Sequence, residues 1–149
     1  MIVSKRGDLF LEDCEVIVNP VNCVGVMGGG LAYEFKRLFP GNYLSYKKSC
    51  DSKELIPGKL HITQVSDLPR KFIVNFPTKN HYIHDSKIEY IESGLNELVA
   101  FICEYNIKSI SIPALGCGLG NLNWENVKSI IHNKLSDLSS VNIILFEPL

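Results

Sequence analysis

Short apolar runs rich in β-branched residues alternate with stretches of helical period along the whole chain, and this alternation limits the fold more than any other feature. Residues 1–5, 15–19 (EVIVN), 60–65, 72–75 (FIVN), 109–113 (SISIP) and 141–146 (VNIILF) read as strands. Residues 31–39, 42–49, 86–105 and 124–135 read as helices. In the third of these, Ile88, Ile91, Leu95, Leu98 and Ile102 recur at steps of three and four and form one apolar stripe. Leu31, Phe35 and Leu38 do the same in the first, and Trp124, Val127, Ile130, Ile131 and Leu135 are expected to face inward from the last. Pro40-Gly41 is expected to end the first helix, and Pro57-Gly58 to make a turn. Strands that alternate with helices pack as a layered α/β domain. The VNIILF run is apolar enough to lie at the sheet centre. The 149 residues fit one domain, 1–149, with no linker, repeat or low-complexity tract.

Charge and cysteine usage narrow the class. Fifteen basic and sixteen acidic side chains leave a net charge of -1, which argues against a large nucleic-acid footprint but permits a small basic rim. No apolar run reaches the length of roughly 20 residues that spans a bilayer, and charges interrupt the N-terminus before a signal sequence develops. The expectation is a cytoplasmic monomer that does not engage a membrane. Cys14, Cys23, Cys50, Cys103 and Cys117 form no CxxC pair and no zinc-finger spacing, so they read as reduced thiols, several of them core fillers.

Three strands run straight into segments that carry chemistry, and in open α/β sheets ligands bind at the carboxyl ends of strands. The first segment is Val18-Asn19-Pro20-Val21-Asn22-Cys23-Val24-Gly25-Val26-Met27-Gly28-Gly29-Gly30-Leu31. Glycines let backbone N–H groups approach a phosphate, and the helix that follows offers unpaired donors. Three glycines alone make an equally good flexible connector, but Asn19 and Asn22 beside them suit ribose hydroxyls. The second is Pro113-Ala114-Leu115-Gly116-Cys117-Gly118-Leu119-Gly120-Asn121-Leu122-Asn123-Trp124, whose spacing does not match a dinucleotide fingerprint. Two glycine loops on one sheet edge suggest a diphosphate held between them. Cys117 there reads as an activated thiol or, more simply, as a small residue that fits a tight turn. The third is Asn75-Phe76-Pro77-Thr78-Lys79-Asn80-His81-Tyr82-Ile83-His84. Lys79 reads either as a reactive amine or as a solvated loop lysine. His81 and His84 have metal-like spacing but no third ligand, so no zinc is expected.

Taken together, Gly7-Asp8-Leu9, Val18-Asn19-Pro20-Val21-Asn22, Met27-Gly28-Gly29-Gly30, Asn75-Phe76-Pro77-Thr78-Lys79 and Gly116-Cys117-Gly118-Leu119-Gly120 with Trp124-Glu125 resemble a macrodomain, and within that family the DarG antitoxin branch. The resemblance covers nearly the whole chain. It implies a three-layer α/β/α fold with a central mixed sheet of about six strands. It also implies a hydrolase that binds ADP-ribose and removes it from thymidine in single-stranded DNA, opposing a DarT-like toxin, with no cofactor and no metal. Asp8 would meet the adenine amine as a buried carboxylate, Leu9 the ring through its backbone, and Asn22 the distal ribose. The loop Met27-Gly28-Gly29-Gly30-Leu31, with Asn19 and Thr78, and the loop Leu115 to Asn121 would flank the diphosphate and distal ribose. Lys79 would be the main catalytic group and Asn22 its helper.

The chain departs from the family pattern at Gly29, where relatives carry lysine, and at Asn80 and Tyr82, where many carry arginine and tryptophan. Gly120 stands where the human terminal ADP-ribose glycohydrolase has an aspartate. DarG proteins can extend beyond the macrodomain, so a chain ending at Leu149 reads as a stand-alone form or a piece of a longer protein. Alternatives left open are an ADP-ribose 1″-phosphate phosphatase, a hydrolase of O-acetyl-ADP-ribose or protein-glutamate ADP-ribose, and a non-catalytic ADP-ribose binder.

Overall fold

The computed structural model describes residues 1–148; Leu149, the end of the expected domain, lies outside the described residues. Six strands form one sheet: β1 (Ile2–Lys5), β2 (Val16–Val21), β3 (His61–Asp67), β4 (Arg70–Pro77), β5 (Ser109–Ile112) and β6 (Asn142–Phe146). Their order is β1-β6-β5-β2-β4-β3, and all neighbours are parallel except the β3–β4 hairpin. Four helices flank it: α1 (Gly30–Leu38), α2 (Pro40–Asp51), α3 (Ile88–Glu104) and α4 (Trp124–Leu135).

Period-two alternation explains the layers. Along β4, Phe72, Val74 and Phe76 point into a core shared with Ile91, Leu95 and Leu98 of α3 and Val127 and Ile131 of α4. Ile73 points the other way, into a core with Phe35 of α1 and Tyr46 and Cys50 of α2. The sheet is therefore buried on both faces, as the expected α/β/α layering requires.

Several boundaries and positions differ from the sequence reading. Strand β2 runs on through Pro20 to Val21, and β4 through Phe76 to Pro77, because the two pair in register from Val16↔Phe72 to Val21↔Pro77. Pro40 does not merely stop α1; it occupies the first turn of α2, where its missing N–H costs nothing. Ser86 lies before α3, its N–H donating to the Gly120 carbonyl (3.0 Å). A 3-10 turn at Leu9–Leu11 was not expected. Strand β6 lies one position in from the edge, since the largely exposed β1 covers its outer side, so its apolarity reports two-faced burial rather than centrality. Leu38 is exposed. Trp124 is partly rather than largely buried, because its indole N–H turns outward to the Glu147 carboxylate. No helix among the described residues is long and apolar enough to cross a membrane.

Candidate functional site

Five parallel strands end at one edge, and a cleft of about 990 Å³ opens there. It collects Asp8 after β1, Asn22 after β2, Thr78 and Lys79 after β4, Gly116 to Gly120 after β5, and Glu147 after β6. The strand-end rule thus holds for every parallel strand.

Lys79 is partly buried on the cleft wall. The N–H groups of Thr78 (2.9 Å) and Lys79 (3.4 Å) both donate to the Val21 carbonyl, so the β2–β4 pairing carries the lysine to its place. Its Nζ donates to the Tyr82 carbonyl at 3.2 Å. That bond folds segment 79–82 back on itself and leaves the Tyr82 side chain half-exposed at the cleft rim. His81 and His84 lie in this loop rather than on a helix, and the described residues contain no cluster suited to a metal ion.

Asn22 spends most of its amide on its own loop. Its Oδ1 accepts from the N–H groups of Val24 (3.0 Å) and Val26 (3.4 Å) and from the Tyr46 hydroxyl (2.8 Å), and its Nδ2 donates to the Val26 carbonyl (2.8 Å). One Nδ2 hydrogen is left for a ligand. Burial pushes the Tyr46 phenol well above its ordinary range, so it stays a donor.

The first glycine loop lines the cleft through Gly28, Gly29, Gly30 and Leu31. Gly29 caps α1 without any side-chain hydrogen bond to the first turn, so that turn offers its backbone donors to an anion. Gly116, Cys117, Gly118, Leu119 and Gly120 face it from the second loop. Leu119 reaches across: its Cδ1 lies 3.7 Å from where a Cβ on Gly29 would sit. A Cβ on Gly120 would sit 2.5 Å from the Gly116 carbonyl oxygen and closer still to the Ser86 hydroxyl, so a side chain is excluded there by space. Burial raises the Cys117 thiol to about 11, and its Sγ donates to the Leu115 carbonyl (3.4 Å), which keeps it a protonated, turn-filling residue. Burial likewise raises Cys23 to about 12, and all five cysteines are free.

Four expected site residues are not in the cleft wall. Asn19, Met27 and Leu115 are buried beneath it, and Asn121, at the end of the second loop, is exposed with its amide donating to Asp85 (2.8 Å). Asn19 is removed because it lies within β2, whose alternation turns it toward Asn75 (3.1 Å). Asp8 and Leu9 do line the cleft, but Asp8 is exposed rather than a buried carboxylate, because it stands at the open N-terminal end of the 3-10 turn.

Phe10, Val26, Glu34 and the segment 146–148 also line the cleft and were missed. The strand-end rule applied to β6 would have found Glu147. Lys79 is the cation among the lining residues, against Asp8, Glu34 and Glu147. Glu34 pairs with Arg37 (2.6 Å) and Glu147 with Lys128 (2.7 Å). Hydrogen bonds from Lys128 and Trp124 hold the Glu147 carboxyl below the usual carboxylate range.

Comparison with known proteins agrees with this geometry. The family described as Macro domain matches residues 18–131. Over 149 residues the chain is 42% identical to a DNA ADP-ribosyl glycohydrolase of Mycobacterium tuberculosis, an alignment that takes in 99% of this chain and 42% of that protein. The structure of the macrodomain of Mycobacterium tuberculosis DarG superimposes with a TM-score of 0.97 at 41% identity, covering 100% of this chain and 99% of that one. A Thermosipho africanus DNA ADP-ribosyl transferase-DNA ADP-ribosyl glycohydrolase fusion protein is 36% identical over 160 residues, covering 97% of this chain and 41% of the fusion. Thermosipho africanus DarTG in complex with ADP-ribose matches with a TM-score of 0.87 at 36% identity, over 95% of this chain and 40% of that one. The chain spans about two-fifths of the length of these two curated relatives.

Proposed function

The chain belongs to the macrodomain family, and we propose that it binds ADP-ribose in this cleft and removes it from thymidine bases of single-stranded DNA, opposing a DarT-like transferase. The observation that carries the reading is Lys79, held by the β2–β4 pairing on the wall of the cleft that the two glycine loops also line. A lysine is a poor choice for simple sugar binding, since it is a strongly hydrated point charge on a flexible stem. It is a good choice for attack on an electrophilic carbon. The names of the relatives support the DNA substrate, and the Thermosipho africanus fusion supports a transferase partner.

In this mechanism the diphosphate lies on backbone N–H groups of the two loops, and the remaining Asn22 N–H meets the distal ribose. The Lys79 Nζ lone pair bonds to the anomeric carbon. The bond from that carbon to the base nitrogen breaks, its electron pair stays on the base, and the base takes the proton released by the lysine. Water then adds at the same carbon, and the lysine nitrogen leaves with a proton, which gives free ADP-ribose and the unmodified base. A Cβ at Gly120 would meet Ser86 and the Gly116 carbonyl, so this chain has no room there for the aspartate of the glutamate-directed relative.

The test is wild type and Lys79→Ala incubated in parallel with ADP-ribosylated thymidine DNA, an ADP-ribosylated glutamate peptide and ADP-ribose 1″-phosphate. Release from DNA by wild type alone, with ADP-ribose affinity alike in both proteins, is expected. Turnover of another substrate in its place would refute the DNA assignment, and binding with no turnover at all would leave a reader module.

A further inference from the structure

The two helical layers carry opposite charge. Residues 30–59, from α1 to the start of β3, hold Lys36, Arg37, Lys47, Lys48, Lys53 and Lys59 against Glu34, Asp51 and Glu54, an excess of three positive charges. Helix α3, in the other layer, holds Glu89, Glu92, Glu97 and Glu104 and no lysine or arginine.

Part of the basic layer reaches the cleft mouth through an unbroken set of contacts. The Cys23 N–H donates to the Asn80 carbonyl (3.2 Å), which ties loop 22–26 to the residue after Lys79. The Gly25 carbonyl of that loop accepts from the Tyr43 hydroxyl (3.1 Å). The Lys36 ammonium lies 4.5 Å over the Tyr43 ring. The Lys47 stem runs under Gly25, its Cγ 3.3 Å from where a Cβ would be. Lys36 and Lys47 are exposed, and Lys47 is held only by Asp51 in a solvent-exposed pair that a phosphate would readily replace. Val24 and Val26 stand exposed on the loop itself, and Val26 also lines the cleft.

We propose that the surface formed by Lys36, Tyr43 and Lys47 beside loop 22–26 is a binding track for the sugar–phosphate backbone of single-stranded DNA leaving the cleft. This rests on the reading of the chain as a DNA ADP-ribosyl glycohydrolase that acts through Lys79. A strand bears a negative charge at every phosphate, so the acidic α3 layer repels it and the α1–α2 layer attracts it. The exposed Val24 and Val26 and the partly exposed edge of Tyr43 among the cations give its bases apolar surfaces to lie on, as in sequence-tolerant single-strand binders. The near-neutral whole chain conceals this local asymmetry.

The test compares wild type, Lys36→Glu/Lys47→Glu and a control of equal charge change, Lys108→Glu/Lys134→Glu. One readout is hydrolysis of ADP-ribosylated thymidine, free or within a short single strand. The other is anisotropy binding of an unmodified single-stranded oligothymidine across a salt series. The track variant should lose about ten-fold in kcat/KM on the strand and nothing on the free nucleoside, with ADP-ribose affinity and Tm unchanged. Two lost phosphate contacts should flatten the log–log salt slope of binding by about 1.4. Lys36→Gln/Lys47→Gln should show the same direction at smaller size. Equal losses on both substrates, an equal loss in the control, or no salt-dependent binding of plain oligothymidine by wild type would overturn the track. Binding that behaves as expected while no modified DNA is hydrolysed would overturn the glycohydrolase reading and leave the track standing.

Discussion

Asp8 has one carboxylate oxygen committed to the protein: it accepts from the Phe10 N–H at 2.9 Å and so starts the 3-10 turn. Among the described residues the side chain takes no other hydrogen bond, and it borders the cleft. We propose that the free oxygen meets the adenine amine; replacement by Asn then keeps an oxygen for the turn but turns an amide donor toward that amine, itself a donor. Asp8→Asn should therefore keep the Tm of wild type and lose about ten-fold or more in ADP-ribose affinity by calorimetry, on the order of a lost charge-assisted hydrogen bond. Asp8→Ala should lose affinity and also about 1 kcal/mol of stability with the cap. Equal affinity in Asp8→Asn and wild type would remove Asp8 from the adenine site. Residues of this kind were legible because they belong to short, chemically marked segments. Asn19 reads in sequence as a strand end free to meet a ribose; that the strand runs on through Pro20, which turns Asn19 to Asn75 beneath the cleft, shows only in the pairing with β4.

At the scale of elements, the apolar stripe of α3 was readable from its spacing, but what lets it sit so close to β4 was not. Gly94 in its middle reads in sequence as a weak helix residue. In the structure a Cβ there would lie 2.3 to 2.9 Å from three ring atoms of Phe76, so the glycine is the seat for that ring. Phe76 is fully buried three residues before Lys79. Gly94→Ala should raise helix propensity and still destabilise the protein by roughly 1–3 kcal/mol, the usual cost of overpacking a core. A denaturant midpoint equal to or above that of wild type would show that the ring yields without strain. The glycine loops tell the same lesson from the other side. Their composition was legible, but what each glycine does was not: that Gly120 both lines the cleft and makes room for Ser86 depends on contacts across the chain.

One polar network spans the molecule beneath the cleft and joins four elements. Asn75 of β4 accepts from Asn19 of β2 (3.1 Å) and Asn42 of α2 (3.1 Å), and donates to Asn42 (2.9 Å) and to the His61 carbonyl of β3 (2.9 Å). The His61 ring closes the circuit through Nε2 to the Ser45 hydroxyl of α2 (2.7 Å). Nothing in the sequence announced this network, because its members lie far apart in the chain and none of them alone points to the others. Burial holds the His61 imidazole below its ordinary 6.5, outweighing the pull of Glu54 in the other direction. In the unfolded chain His61 takes up a proton as pH falls through about 6.5, while in the folded protein it does so only at lower pH. The unfolded state therefore binds more protons in that window, and folding stability falls as pH drops through it, levelling once the folded pKa is passed. His61→Gln retains hydrogen-bonding capacity toward Ser45 without titrating. The variant should be less stable than wild type near neutral pH, and the gap should narrow steadily as unfolding is measured toward pH about 5. A gap that stays constant across that range would mean that His61 charges as easily in the folded protein as in the unfolded chain, and that the network does not exclude the proton.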